Sequence, residues 1–412
     1  MGLRELNVEL TEEQKATKDM VHRFAAEVVR PAGIQLDRLP NPQDVIAKDS
    51  VLWDVFRKHR ELGLHRTGFP PEFGGLDQDA LTSAMTAEQL GWGDGGLAIS
   101  LGVSVFPFLF AMLSPDPEVQ NWTRQYCEDT DGKMVGCWAI TEPDHGSDWI
   151  LYDGEYSSDP KVGPQVRAVE AGDEYILNGQ KSAWVSDGTI ATHAALFLTL
   201  DPSQGMGACG LAVVPLDLPG VTKGKPLDKM GQRALNQGEI FFDNVHIPKS
   251  MMVVSDPGVH NMVLEAILCG ANGGMGNIWV GVAQSALDEA LRYSKDRVQG
   301  GRPICQHQTV RVMLFDMFMS VEAARCLSRA VSVYNRATQP PALQYATASK
   351  VMATETAFKV ASQGIQVFGG YGFTKEYIIE KIFRDARAAM VEDGVNEVLG
   401  LAGIDRVLRG IP

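Results

Sequence analysis

Hydrophobic periodicity changes twice along the chain, and the two changes predict an α+β multidomain fold. A helical N-terminal domain, a compact central β-barrel domain or sandwich and a C-terminal four-helix bundle are expected in that order. Apolar residues recur at helical spacing to about residue 132, short β-branched and aromatic runs with turn dipeptides fill about 133–250, and long helical runs resume afterwards. A chain of 412 residues exceeds what one small core organises, so two or three packed units are expected, and the periodicity divides the chain into 1–132, 133–250 and 251–412.

The first helix is announced by Thr11-Glu-Glu-Gln14, a capping box, with Val21, Phe24, Ala25, Val28 and Val29 following at helical spacing until Pro31 stops the run. The apolar run LGVSVFPFLFAML (101–113) is too short to cross a bilayer and reads as a buried helix. In the middle zone EYILNGQKSAWVS, HAALFLTL, CGLAVVPL and GEIFFDNVHI read as strands, with Asn178-Gly179 and Asp187-Gly188 as turns. Three helical runs of more than twenty residues follow, and a shorter one carries RDARAAMVEDGVNEVL (384–399). Several show Ala and Gly beside large apolar residues on more than one face, as in helices that also pack against another subunit.

A net charge of −14 argues against nucleic acid as the main partner. The six cysteines are scattered without a C-x-x-C pair, and no His cluster has ligand spacing, so reduced thiols, a cytoplasmic location and no metal are expected. No signal-peptide or membrane-spanning run is read, so no membrane partner is expected.

Gly91-Trp-Gly93-Asp-Gly-Gly96 matches the dinucleotide fingerprint G-x-G-x-x-G, but the segment before it is helical, so the glycines read as an interhelical turn. More informative is CWAITEPDHGSDW (137–149), which ends a strand in a polar loop, followed by SAWVSDG (182–188), with Trp184 and Ser186 two apart on one strand face. FGGYGF (368–373) and RDAR…EDG complete the set. Taken singly, Glu392-Asp393-Gly394 is an acidic helix end closed by a glycine, and acidic turns far outnumber catalytic acids.

Together these segments resemble the acyl-CoA dehydrogenase family of flavoproteins over nearly the whole length. TEPDHGSD and GGYGFTKEYIIEKIFRDAR resemble its two signatures, and YSKDRVQGGRPICQHQ (293–308) is similar to its R-x-x-F-G-x-x-x-x-x-H-Q segment. The resemblance implies FAD bound between the β domain and the C-terminal bundle. Trp138, Ile140 and Thr141 are expected at the flavin's pyrimidine side, Trp184 against the ring, and the Ser186 hydroxyl as donor to N5. Ser147 is expected near both the pyrophosphate and the substrate thioester. Arg297 and Gln299 match positions that hold the diphosphate of FAD from a neighbouring subunit, where a permanently charged guanidinium suits phosphate, and the cofactor-binding candidates His307 and Gln308 fall in the same element. Gln366, Gly369 and Gly370 match a loop at the adenine end, and Val395 and Glu397 fall with the cofactor residues. Sharing FAD across subunits implies a homotetramer, a dimer of dimers, with an electron-transfer flavoprotein as acceptor.

By the same resemblance the catalytic base falls on Asp393, with Glu392 the alternative one residue away, and Gly394 and Asn272 fall at substrate-binding positions. In the family mechanism this carboxylate removes the α-proton of an acyl-CoA while the β-hydrogen leaves as hydride to the flavin. A base one methylene shorter than the usual glutamate is drawn back by more than an ångström, roughly, which can cost ~10²-fold unless the site compensates. Some members carry a base on an earlier helix instead, but Ala271 and Asn272 occupy that position here and cannot take a proton. An aspartate base recurs in dehydrogenases of cyclic acyl-CoAs and in nitroalkane oxidase. A 2-enoyl-CoA-forming dehydrogenase, with a cyclic or otherwise unusual acyl group, is the preferred reading. An oxidase of the nitroalkane type, an enoyl-CoA reductase and a non-catalytic subunit of a heteromeric dehydrogenase stay open. Departures from the pattern are Gly300 for Phe, Val395 for Thr and Asn236-Gln237-Gly238 for Asp-Thr-Arg. A longer segment between Trp149 and Ala171 reads as a surface hairpin, or as a modifier of the substrate mouth.

Overall fold

The computed structural model describes residue 6 and residues 9–411, so part of the N-terminal run read for targeting signals lies outside the described residues. The capping box forms: Thr11 Oγ1 accepts from the Gln14 N–H, and Gln14 Oε1 accepts from the Thr11 N–H, both at 3.1 Å, starting α1 (Glu12–Phe24). Pro31 does not end the run. A π turn over Ala25–Val29 leads into α2 (Arg30–Asp37), and Pro31 sits in the first turn of α2, where its missing N–H costs little. The short α3 (Pro42–Val45) and then α4 (Val51–Glu61) follow.

The G-x-G-x-x-G segment is an interhelical turn. Asp94 ends α5 (Ala80–Gly93) and caps α6 (Gly95–Val103), accepting from the Leu97 N–H at 2.9 Å. The apolar run 101–113 is broken at Ser104–Val105 between α6 and α7 (Phe106–Ala111), because Pro107 starts a new first turn. The helix α8 (Pro117–Glu128) leads to the sheet.

The middle region is one eight-stranded sheet. Its strands are β1 (Gly136–Ala139), β2 (Arg167–Ala171), β3 (Glu174–Lys181), β4 (His193–Thr199), β5 (Cys209–Pro215), β6 (Val221–Lys223), β7 (Ile240–Pro248) and β8 (Met252–Val254). The path runs β6-β7-β3-β2-β4-β5-β8, with β1 added parallel to β4. Alternation sorts β4 between two cores: Ala194, Leu196 and Leu198 point into the sheet's own core, while Ala195 and Phe197 face helices. Asn178-Gly179 is not a turn. It is a bulge inside β3, with Gly179 at φ +137, and the β2–β3 hairpin turns instead at Gly172-Asp173. SAWVSDG leaves the strand as well: after Lys181 the chain turns, and Ser186 meets Gln237 only in an isolated bridge.

The last region contains α9 (Pro257–Asp296), a β9 (Val298–Gln299) and β10 (Arg302–Pro303) hairpin, α10 (Gln308–Ala337), α11 (Leu343–Phe368), α12 (Ile379–Ala389) and α13 (Asn396–Arg409). The 40 residues of α9 bridge two cores: Leu264, Ile267 and Leu268 pack with the sheet's helix-facing side, while Met275 to Ala290 pack among helices. The functional cleft opens at this junction. The segment after Trp149 is no hairpin. It is a run of turns anchored by the Tyr152 hydroxyl, which donates to Glu265 at 2.6 Å and accepts from Arg406 at 2.8 Å. None of residues 157–164 lines the cleft.

Candidate active site

A cavity of about 690 Å³ lies where the sheet meets the bundle. Its walls are the loop after β1 (Ile140, Thr141, Ser147), the turn after β3 (Trp184, Ser186), the loop Asp228–Gln232, Leu268 and Met275 of α9, and the chain from Arg384 to Gly394.

The acidic end is built by α12 running out of room. The helix stops at Ala389, and the N–H groups of Val391 and Glu392 both turn back to the Ala388 carbonyl. Asp393 (φ +48) and Gly394 (φ +95) then take left-handed backbone. Asp tolerates that region, but φ +95 at position 394 favours glycine, and an added Cβ there would also have to displace the tip of Ile150, 2.1 Å away. Three bonds hold this turn. The buried Lys350 ammonium of α11 donates to the Gly394 carbonyl at 2.8 Å and to Asn396 Oδ1 at 2.9 Å. The Val395 N–H donates to Ser147 Oγ at 3.0 Å, joining the TEPDHGSD loop to the turn after α12 across 248 positions.

Burial raises both carboxylates, and their engagement separates them. Glu392 is pushed up to about 7 by burial, with its Gln232 hydrogen bond, Lys229 and Lys350 opposing and the Asp393 charge adding. Its Oε2 accepts from Gln232 Nε2 at 2.8 Å. Asp393 is also raised by burial, with only the Lys350 charge opposing, and its carboxylate and its N–H have no hydrogen-bond partner among the described residues. Each keeps a sliver of contact with the cavity although protein encloses it. Lys350 and Lys229 are both held down to about 8 by burial, against the pull of these acids.

The RDAR run anchors the floor. Arg384 forks onto Asp37 of α2 (2.9 and 2.7 Å) and reaches the Met230 carbonyl at 2.8 Å. Asp385 accepts from the Gln232 N–H at 2.5 Å and shares the buried Lys381 with Asp94, each at 2.5 Å. Asp94 of the glycine-rich turn thus caps one helix and pairs a lysine on another.

The cavity brings together Trp138, Ile140, Thr141, Ser147, Trp184, Ser186, Asp393 and Gly394. Trp184 is 59% exposed. The carbonyls of Ile140 and Thr141 are taken by Lys181 and by the Ser182 N–H. The Trp138 indole N–H is buried without a partner on the wall. Asn272 does not join them: it is fully buried on α9, its amide donates to the Leu268 carbonyl at 2.9 Å, and it is absent from the lining. Arg297, Gln299, Gly369 and Gly370 gather in a separate concavity of about 560 Å³, sharing no lining residue with the first. Next to it His307 bonds the Gln299 carbonyl at 2.9 Å and so braces the hairpin, while Gln308 and Gln366 are exposed helix residues. Val395 enters through its backbone, and Glu397 lies exposed on α13. Sequence reasoning passed over Lys229, Gln232 and Lys350. The usable signal was KMGQR (229–233), a basic and glycine-bearing loop between strands, whose Gln232 takes φ +50.

Family models for the acyl-CoA dehydrogenase N-terminal, middle and C-terminal domains match residues 11–113, 137–245 and 270–408. The chain is 31% identical over 395 residues to cyclohex-1-ene-1-carbonyl-CoA dehydrogenase of Geobacter metallireducens, covering 94% of this chain and 96% of that one. It is 29% identical over 405 residues to the mitochondrial short-chain specific acyl-CoA dehydrogenase of Rattus norvegicus, covering 98% and 92%. The butyryl-CoA dehydrogenase structure from Megasphaera elsdenii superposes with a TM-score of 0.85 at 26% identity, covering 98% of this chain and 100% of that one. With three domain models in register and a cavity where sheet and bundle meet, the chain belongs to the acyl-CoA dehydrogenase family, FAD-dependent oxidoreductases acting on CH–CH groups.

Proposed function

We propose that this protein dehydrogenates an acyl-CoA to a 2-enoyl-CoA, with Asp393 as the base. The observation that carries the reading is the free carboxylate of Asp393 in the same cavity as Trp184 and Ser186. Glu392 is the weaker candidate because Gln232 already occupies it. A carboxylate raised by burial and left without donors is suited to take a proton from a weak carbon acid near neutral pH. The unengaged Asp393 N–H is the group that would receive the thioester oxygen as negative charge gathers there.

FAD fits the residues present: the exposed Trp184 indole offers a ring face, and Ser186 and the unpartnered Trp138 N–H offer donors. When bound it would supply the hydride acceptor. Arg297, Gln299 and the open backbone at Gly369 and Gly370 would hold its diphosphate and adenine end. Because these line a separate concavity, we assign them to the FAD of a neighbouring copy in a homotetramer. Exposed apolar residues on α10 (Val312, Phe315, Met319) and α13 (Leu401, Val407, Leu408) favour association through the bundle. An electron-transfer flavoprotein is the proposed acceptor, and the cytoplasm the proposed location. A cyclic acyl group is favoured by the aspartate and by the cyclohex-1-ene-1-carbonyl-CoA dehydrogenase relatives, one at 31% and one at 29% identity.

Anaerobic mixing of the yellow protein with a panel of linear and cyclic acyl-CoAs tests this. Bleaching of the flavin by at least one thioester is expected. No bleaching by any thioester, with oxygen consumed on nitroalkanes instead, would replace the reading with the oxidase.

A further inference from the structure

We propose that Gln237 is a positioning residue: its side-chain amide turns the Ser186 hydroxyl outward as a donor into the cavity and links it to the Lys229 ammonium. The inference rests on the reading above, in which Ser186 faces the flavin. It starts from Gln237, a buried amide on the cavity wall beside both Lys229 and Ser186.

The chemistry of the three groups leaves one arrangement. Lys229 Nζ lies 2.7 Å from Gln237 Oε1 and 2.8 Å from the Leu235 carbonyl. An ammonium has only donors, so the atom facing it must be the amide oxygen, and that settles which way the Gln237 amide points. Its NH2 then faces two oxygens at 3.3 Å, the Trp184 carbonyl and Ser186 Oγ. A carbonyl can only accept. Ser186 Oγ, receiving an N–H, keeps its own hydrogen, and no described group takes that hydrogen. The loop cannot easily swing away: the Ser186–Gln237 bridge closes it, and Asn236 Oδ1 accepts from both the Thr189 N–H (3.1 Å) and its hydroxyl (2.9 Å). Ser186 lines the cavity, so its hydrogen is presented there.

The link reaches the acid side as well. Lys229 feels Glu392, Asp385 and Asp187 as attractive charges and Arg233 as a repulsive one. A donor chain Lys229–Gln237–Ser186 therefore carries the charge state beside the acids toward the flavin side, each bond polarising the next.

A double-mutant cycle with Gln237→Met and Ser186→Ala decides it, read by the midpoint potential of the bound flavin and by the rate of substrate bleaching. Gln237→Met alone should make the potential more negative and slow bleaching roughly tenfold, less than the ~10²–10³-fold cost of deleting an aimed donor. In the Ser186→Ala background it should change neither. The near-isosteric Gln237→Glu, which can only accept from Ser186 and so turns the hydroxyl inward, should be slower than Gln237→Met while retaining FAD. Equal shifts in both backgrounds, or none in either, overturn the proposal. Asp393→Asn run in parallel separates the two readings: undiminished bleaching there defeats the proposed function, whereas a dead Asp393→Asn with silent Gln237 variants defeats only this inference.

Discussion

The cavity at Asp393 and the concavity at Arg297 are built on opposite plans. Around Asp393 the polar groups are paired inside the chain: Lys350 to Gly394 and Asn396, Lys381 between Asp94 and Asp385, Gln232 to Glu392, Ser147 to Val395. One carboxylate is left over. At the concavity the Arg297 guanidinium lies 5.3 Å above the Tyr371 ring with no carboxylate partner among the described residues, and added Cβ atoms at Gly369 and Gly370 would meet nothing within 4 Å. The first region leaves one buried carboxylate within a rigid frame, and the second presents an unspent cation. On the proposed function, tight pairing isolates the one group that reacts, while a site for an anion is left unpaired until the anion arrives.

Removing the leftover carboxylate should have the largest effect. Asp393→Asn is expected to cut the bleaching rate by roughly 10²–10⁴-fold with FAD retained, measured by anaerobic stopped flow. An equal loss from Glu392→Gln would show that the pairing at Gln232 does not separate the two acids.

Breaking the frame should cost stability. Lys381→Met would leave Asp94 and Asp385 buried beside each other, and a loss of about 3–5 kcal/mol is expected in chemical denaturation. Lys350→Met loosens the Gly394 turn, so bleaching should slow by about 10²-fold while FAD stays bound. Lys350 also opposes the upward push on Asp393, so the acidic limb of the kcat/KM profile should move to higher pH in that variant. An unmoved limb would mean that Lys350 acts only by packing.

The open concavity should respond differently. Arg297→Met is expected to weaken FAD about 10-fold, with little change in bleaching at saturating FAD, as checked by flavin titration. The smallest effect is a pH slope. Glu392 carries a folded pKa of about 7 against an ordinary 4.5, so the folded state binds the extra proton between those values. Its contribution is full below about 4.5 and is lost as pH rises through about 7. Glu392→Gln should therefore flatten the fall of Tm between pH 5 and 8, with the gain on the alkaline side.

Much of this was legible from sequence where the cause is local. The capping box at Thr11, the turn at Asp94, the strands at 193–199 and 209–215 and the pairing of TEPDHGSD with RDAR…EDG depend on neighbours or on a recurring pattern. Local reasoning went astray where a nearby backbone irregularity or a distant strand decided the outcome. Pro31 reads as a stop, yet a π turn one residue ahead carries the helix through it. Asn178-Gly179 reads as a hairpin, yet β7 pairs across it and makes it a bulge.

Sequence alone determined the order of helical, sheet and helical regions and the family, because periodicity and motif spacing are written along one dimension. Tertiary structure decided which of two adjacent acids stays free, through Gln232, a residue 160 positions away from Glu392. It also decided how Ser186 is turned, through Lys229 and Gln237. A carboxylate's availability depends on what donates to it, and those donors arrive from other strands and helices only when the chain has packed.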